Sequence, residues 1–285
     1  MAKMRTGTTN DLRAVRDIYQ WSEAIEQALT YLKEYLQYHP TDPDAEGALI
    51  QATMHDGDFV EAHRIVEKLA AQFPDKAQLE MSRALNLFRL GEFDAAMPLM
   101  ESRWGRENAG GKLDFPVPEW KGEEIRDGKL VIYGEQGVGD HIMYAGHMIP
   151  ARKRANHIVF EISPRQMSLF QRSFPDFEII ERTNLPANWR MDEVRAKVAA
   201  GDLAYVMGED YRNLPGREGF LIPHPDFLRK LRKKYQAKFP GKLLVGISWR
   251  SGNRDSAGVR SLELEHWLPI LKNPNCGFVS LQYGD

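Results

Sequence analysis

The chain has 285 residues, enough for one large or two ordinary domains. Its 38 Lys and Arg residues against 40 Asp and Glu residues give a net charge of −2, so there is no general positive excess to attract nucleic acid or acidic membranes. Apolar residues make up 42% and charged residues 27%, which is typical of a folded protein and excludes a disordered one. The single Cys276 excludes an intrachain disulfide. Because the sequence contains neither a secretory signal nor a membrane span, we expect a cytoplasmic location.

A repeat of 34 residues runs through the first third of the chain. The residues that recur at this spacing are Ala28, Ala62 and Ala96, then Pro40 and Pro74, Gly57 and Gly91, and Phe59 and Phe93. Each unit predicts a helix, a turn that contains glycine, and a second helix that ends at a proline. Small alanines let the two helices approach closely. We therefore expect stacked helical hairpins over residues 1–110.

This spacing and residue order resemble the tetratricopeptide repeat. Two good copies cover about 44–74 and 76–108, and a partial copy covers about 21–40. Stacked hairpins of this kind form curved surfaces that most often bind a protein or peptide. Two and a half copies are fewer than the three usually needed for stability, so a small helical cap on the next domain is an equal alternative.

Residues 111–240 show the alternation of a parallel α/β sheet. Strands are predicted at 129–133, 157–162, 177–180 and 203–207, and helices at 139–153, 164–173 and near 192–199. Short apolar strands that alternate with helices predict a parallel sheet with helices on both faces, which makes the fold class α + α/β with a Rossmann-like lobe. Ligands bind beyond the carboxyl ends of such strands, so the loops after Tyr133 and Met207 are the expected sites.

The loop after the first strand reads Gly-Glu-Gln-Gly-Val-Gly-Asp from Gly134 to Asp140. Its glycines let the backbone approach a ligand, and the following helix presents free N–H groups suited to an anion. A nicotinamide fingerprint is disfavoured because Ile142 stands at its third glycine. Asp140 has two open interpretations: its carboxylate either caps the helix or takes a proton from a substrate hydroxyl.

From about Trp120 onward the sequence resembles the family 9 heptosyltransferases, and more distantly the O-linked N-acetylglucosamine transferases. In particular it resembles bacterial proteins that join tetratricopeptide repeats to this two-lobed GT-B type of fold. The matching segments are Trp120-Lys121-Gly122, Leu130 to Asp140, Arg172 to Pro175, Val245 to Gly252, Arg260 to Leu262, and Val279 to Asp285. The resemblance implies transfer of a sugar from a nucleotide sugar to a protein or glycan acceptor, without a metal ion or other cofactor.

The resemblance also implies roles for particular residues. Asp140 matches the position of the proposed base, and Gln136, Gly137 and Gly139 of the same loop would contact substrate. The residues expected to face the nucleotide diphosphate are Arg250, Ser251, Gly252, Asn253, Arg260 and Ser261. Arginine suits this task because its fork of donors orients phosphate oxygens; the alternative is that these are ordinary exposed loop residues. One departure is His147, close to where many relatives carry an arginine, and it bears on acceptor binding.

Residues 241–285 resemble only the start of the second, donor-binding lobe. Strands are predicted at 243–249 and 277–281, and a helix at 264–271. Two strands and one helix do not close a core, so the sequence predicts a fragment with little or no transferase activity. The alternative function is a repeat-based protein-interaction module whose α/β part has no catalytic role. The basic stretch 229–242 is interpreted as a solvated helix face rather than a nucleic-acid site, because Leu228, Leu231 and Tyr235 are spaced to pack inward. His141 and His147 do not share a helix face, so no metal site is expected.

Overall fold

The computed structural model describes residues 25–74, 77–105, 112–135, 137–181, 185, 189–209, 219–251 and 261–282. The chain divides into two compact units, one formed by Met1–Pro74 with Asp226–Asp285 and the other by Asp75–Pro225. Within the described residues no helix is long and apolar enough to cross a membrane.

Antiparallel helices occupy the repeat region, as the 34-residue spacing predicts. They are α1 (Ile25–Tyr38), α2 (Pro43–Asp56), α3 (Phe59–Gln72), α4 (Ala77–Leu90) and α5 (Phe93–Ala96), which continues into the 3₁₀ helix Met97–Gly105. Gly57 and Gly91 lie in the turns with φ of 91° and 79°, a left-handed conformation that glycine adopts without strain. Ala62 and Ala96 are fully buried, which confirms their predicted place between close helices.

A four-stranded parallel sheet follows, in the order β3-β2-β1-β4. Its strands are β1 (Ile125–Tyr133), β2 (Ala155–Ile162), β3 (Glu178–Glu181) and β4 (Val194–Ala199), and its helices are α6 (Val138–Ala145), α7 (Met148–Ala151), α8 (Met167–Ser173) and α9 (Leu203–Val206). β1 pairs with β2 on one side and with β4 on the other. The chain therefore runs outward from β1 to β3 and then returns to the opposite side of β1.

The sheet is buried on both faces, which explains the apolar runs in its two central strands, β1 and β2. Leu130 and Ile132 of β1 pack with Phe160, Phe170 and other apolar residues against the helices α6 to α9. On the other face, Val131 and Tyr133 pack with Leu113 and with Trp104 of the 3₁₀ helix. The second face is thus covered partly by extended chain, where the sequence predicts helices alone.

The fourth strand was predicted at the wrong place. The structure has strand β4 where a helix near 192–199 was expected, and helix α9 where a strand at 203–207 was expected. Alanine-rich composition favours a helix, but pairing with β1 outweighs this weak preference. The Lys197 ammonium donates to the carbonyl oxygens of Leu113 and Phe115 at 2.7 and 2.8 Å, so this charged residue is buried against the extended segment that covers the sheet. The expected site after Met207 therefore moves to the loop after Ala199.

The last part of the described chain contains a two-stranded parallel sheet. Helix α10 (Pro225–Lys238) precedes β5 (Leu243–Ile247), and a 3₁₀ turn with α11 (Leu268–Leu271) precedes β6 (Cys276–Ser280). These elements agree with the predicted strands at 243–249 and 277–281 and the predicted helix at 264–271. Residues Leu228 and Leu231 of α10, expected to pack inward, are exposed at 39% and 47%.

Candidate functional site

The glycine-rich loop lies at the carboxyl end of β1, at the point where the strand order of the sheet reverses. Because the chain continues from β1 to β2 on one side and returns to β4 on the other, the strand order reverses between β1 and β4, and the loops after these two strands lie side by side. A crevice at such a reversal is the usual ligand site of an open parallel sheet. The loop after β1 leads into α6, whose first turn directs backbone N–H groups toward this edge.

Asp140 occupies the first turn of α6 and is half-buried. Its Oδ2 accepts a hydrogen bond from the backbone N–H of Gly137 at 3.0 Å, so the capping interpretation of this carboxylate is correct. Among the described residues no partner is present for Oδ1. A cap that uses one carboxylate oxygen leaves the other for a ligand, and both interpretations of Asp140 are compatible with this geometry.

A buried charge cluster, not anticipated from the sequence, joins the two strand ends. Arg103 of the 3₁₀ helix donates from Nε and Nη2 to the Glu135 carboxylate at 2.7 and 3.0 Å, and from Nη2 to Asp202 at 2.9 Å. Its Nη1 donates to the carbonyl of Met100 at 2.9 Å. Arg103 and Glu135 are only 3% and 4% exposed. The two carboxylates raise the pKa of Arg103 despite its burial, so the guanidinium stays charged.

The turn after β4 completes this cluster. The backbone N–H of Gly201 donates to Oε1 of Glu135 at 2.8 Å. A Cβ at residue 201 would lie 2.6 Å from that oxygen and 3.2 Å from Cζ of Tyr144, so only glycine allows this approach. Burial raises the pKa of Asp202, and the bond to Arg103 only partly opposes this effect. Burial, together with the negative charge of Glu135, raises the pKa of Tyr144 to about 12.

The histidines of this region have other partners. His141 Nδ1 lies 2.6 Å from Gln166 Oε1, and His147 Nδ1 lies 2.7 Å from Glu209 Oε2. In the part of the chain that the structure describes, no group of three His, Cys, Asp or Glu side chains is arranged to hold a metal ion.

In the other compact unit, the loop after β5 is organised by Gln282. The Oε1 atom of Gln282 accepts from the backbone N–H groups of Trp249 and Arg250 at 3.2 and 3.0 Å, and its Nε2 donates to the Arg250 carbonyl at 3.2 Å. The Ser251 N–H donates to Ser261 Oγ at 3.0 Å, so two predicted site residues ten positions apart lie together. The Arg250 guanidinium forms an exposed ion pair with Glu263 at 3.2 Å.

The remaining predicted site residues lie outside the described part of the chain. They are Gln136, Gly252, Asn253 and Arg260. Gly139 lies in the first turn of α6, where a Cβ would meet nothing within 4 Å, so the loop surface there is open. The glutamine at 282 was visible in the sequence as part of a matching segment, but nothing in the sequence showed that it binds the loop after β5.

Comparison with known proteins identifies the repeats by a family model and finds similarity to a curated protein and to a solved structure. The family model of the tetratricopeptide repeat matches residues 22–85. Protein FlbA of Caulobacter vibrioides is 28% identical over 227 residues, and the match covers 74% of this chain but only 38% of FlbA, less than half of that relative. A solved structure of a Thermobaculum terrenum O-GlcNAc transferase mutant is 14% identical, with coverage of 96% of this chain and 69% of that one; its TM-score of 0.28 is too low to show a common fold. The chain thus carries tetratricopeptide repeats in its first part, followed by a parallel α/β sheet.

Proposed function

We propose that the chain is the N-terminal part of a glycosyltransferase that moves a sugar from a nucleotide sugar to a protein or glycan acceptor. The observation that carries the proposal is the position of Asp140, half-buried in the first turn of α6 where the strand order reverses, with no partner for Oδ1 among the described residues. The resemblance of this loop to that of the family 9 heptosyltransferases supports the same assignment. Binding of the acceptor is assigned to this edge and to the repeats.

Asp140 is suited to act as a general base on an acceptor hydroxyl. The hydroxyl oxygen attacks the anomeric carbon of the donor while its proton passes to Oδ1 of Asp140. The bond from the anomeric carbon to the diphosphate oxygen breaks, and the diphosphate leaves with the electron pair. The bond from Gly137 N–H to Oδ2 holds the carboxylate in one orientation, as a base requires for proton transfer at hydrogen-bond distance.

The loop after β5 is assigned to the donor diphosphate. Gln282 holds the backbone at Trp249 and Arg250, and Ser261 holds it at Ser251, so the described start of the loop is fixed by hydrogen bonds. Arg250 is exposed and would exchange Glu263 for phosphate oxygens, since exposed ion pairs contribute only ~0–1 kcal/mol. In this proposal arginine and backbone donors, without a metal ion, stabilise the charge of the leaving group.

The donor assignment predicts opposite effects for the two members of this ion pair. Arg250→Met should weaken binding of a nucleoside diphosphate, and Glu263→Gln should strengthen it because the guanidinium loses its competitor. Calorimetric titration of the native protein with UDP, GDP and ADP measures both. Equal affinities in wild type and both variants would contradict the assignment.

The catalytic assignment is tested by substitution of Asp140. A positioned general base contributes about 10²- to 10⁴-fold to a rate, so Asp140→Asn should lower kcat by this factor while binding of the nucleotide is unchanged. Asp127→Asn is the matched control, because Asp127 is an exposed carboxylate near the N-terminal end of β1, away from the loop that leads to Asp140. If Asp140→Asn retains the rate of the control, Asp140 is not the base.

The second candidate function is a protein-interaction module without catalysis. It is favoured by the match of residues 22–85 to the tetratricopeptide repeat, since such repeats commonly hold a protein or peptide. This function predicts that partners are retained by Asp140→Asn and that no nucleotide sugar raises the melting temperature of the chain.

A further inference from the structure

One guanidinium group connects the two strand ends that border the proposed acceptor crevice. Glu135 comes two residues after the end of β1, and Asp202 comes three residues after the end of β4. Arg103 binds both carboxylates, at 2.7 and 3.0 Å for Glu135 and at 2.9 Å for Asp202. The direct bond from the Gly201 N–H to Glu135 at 2.8 Å closes the ring of contacts. The separation of the two loops is therefore set by these few bonds.

The same cluster contacts both the loop that leads to Asp140 and the helix that carries Asp140. Glu135 is fixed at the start of the loop. Tyr144, four residues after Asp140 on α6, lies over Gly201, where a Cβ would be 3.2 Å from its ring. Because residues four apart share one face of a helix, the contact at Tyr144 also sets the rotation of Asp140 about the helix axis. The loop is thus held at its start and through the helix that follows it.

We infer that Arg103 is a positioning residue for the Asp140 site, which it holds in register with the turn after β4 through Glu135 and Asp202. This inference rests on the proposed function only for the role of the Asp140 site, because the contacts of Arg103 are observed whatever that role is. A lysine does not substitute here, since only the planar fork of arginine provides donors in several fixed directions. Buried ion pairs add little stability relative to apolar residues of the same volume. Fixing the geometry of the loops therefore explains this ion pair better than stability does.

The inference also connects the repeats to the α/β sheet. Arg103 belongs to the 3₁₀ helix that continues directly from α5, whereas Glu135 and Asp202 belong to the sheet loops. All three lie in the compact unit Asp75–Pro225. The last helical hairpin therefore supplies a residue that the site of the α/β domain requires.

Glycine amide resonances test this inference in the complete chain. After selective ¹⁵N-glycine labelling, wild type is compared with Arg103→Met and Arg103→Lys. We expect both variants to displace the resonances of Gly137, Gly139 and Gly201, and to make hydrogen exchange at Gly201 at least about tenfold faster. The resonance of Gly91 in the repeat turn is the internal control and should not move.

A combined variant separates positioning from stability. Arg103→Met with Glu135→Met replaces the buried pair by apolar side chains, and Asp202→Asn removes the carboxylate that would otherwise lose its cation. Together these changes should recover most of the melting temperature but leave the Gly137 and Gly139 resonances displaced. This variant also serves if Arg103→Met alone does not fold. The inference is overturned if a folded Arg103 variant keeps the Gly137, Gly139 and Gly201 resonances at their wild-type positions. It is also overturned if the combined variant regains the wild-type melting temperature and the wild-type resonance positions together. These resonances report position and transfer rates report function, so the inference and the proposed function fail separately.

Discussion

The charge cluster at Arg103 makes a quantitative prediction about stability. Arg103→Met removes two bonds to Glu135 and one to Asp202, and leaves the Glu135 carboxylate buried without its cation. Loss of one partner of a buried ion pair costs about 3–5 kcal/mol of unfolding free energy. In a unit of this size, 1 kcal/mol corresponds to roughly 2–4 °C, so the melting temperature should fall by roughly 6–20 °C.

A matched control separates burial from the loss of an arginine. Arg190 binds Asp192 in the same two-bond arrangement, from Nε at 3.2 Å and Nη2 at 2.6 Å, but its side chain is 63% exposed. Arg190→Met should therefore cost only ~0–1 kcal/mol. Urea unfolding followed by tryptophan fluorescence measures both variants. If Arg103→Met and Arg190→Met lose the same free energy within about 1 kcal/mol, the buried pair does not act as described.

Three further predictions concern the same compact unit. Gly122→Ala should strongly lower the stability in thermal unfolding, because Gly122 has φ of 93° and a Cβ would lie 2.1 Å from the Val206 carbonyl oxygen. Gly208→Ala is the control. Gly208 has φ of 69° but open space around it, so this change should cost only the backbone strain of about 1–2 kcal/mol. Burial raises the pKa of Asp202 from its ordinary 3.8, so the folded state favours the protonated carboxyl. The resulting contribution to the free energy of unfolding is complete below pH 3.8 and is lost as pH rises through the raised pKa. Asp202→Asn should flatten this fall in urea titrations, and an unchanged curve would contradict the burial effect. The pKa of Tyr144 is raised from 10.0 to about 12, so the free energy of unfolding should fall as pH rises from 10 through 12. Tyr144→Phe should reduce this fall. Tyrosinate absorbance identifies the group that titrates.

The repeats and most of the sheet could be predicted from the sequence because their signals are local. Recurrence of Gly57 and Gly91 at the 34-residue spacing marks two helix turns, and both adopt the left-handed conformation that favours glycine. The apolar runs of β1 and β2 are equally clear. At β4 the sequence prediction was a helix near 192–199, and it was wrong: Val194, Ala196 and Val198 lie in a strand because this segment pairs with β1, a contact that local composition does not show.

The site could be predicted only in part. The position of Asp140 and the glycine-rich loop followed from the sequence, since a loop after an apolar strand lies at the carboxyl edge of a parallel sheet. The contact of Arg103 with Glu135 joins residues 32 positions apart, and no periodic pattern carries such a pairing. Gln282 likewise binds Arg250 across 32 positions.

Transfer of a labelled sugar by the full-length protein, of which this chain is proposed to be the N-terminal part, tests the central claim most directly. The protein is incubated with radiolabelled nucleotide sugars and cellular acceptors, in wild-type form and with Asp140→Asn or Asp127→Asn. Wild type and Asp127→Asn should incorporate label, and incorporation by Asp140→Asn should be lower by about 100-fold or more. Incorporation that is equal in all three proteins, or absent from wild type with every donor, would contradict the central claim.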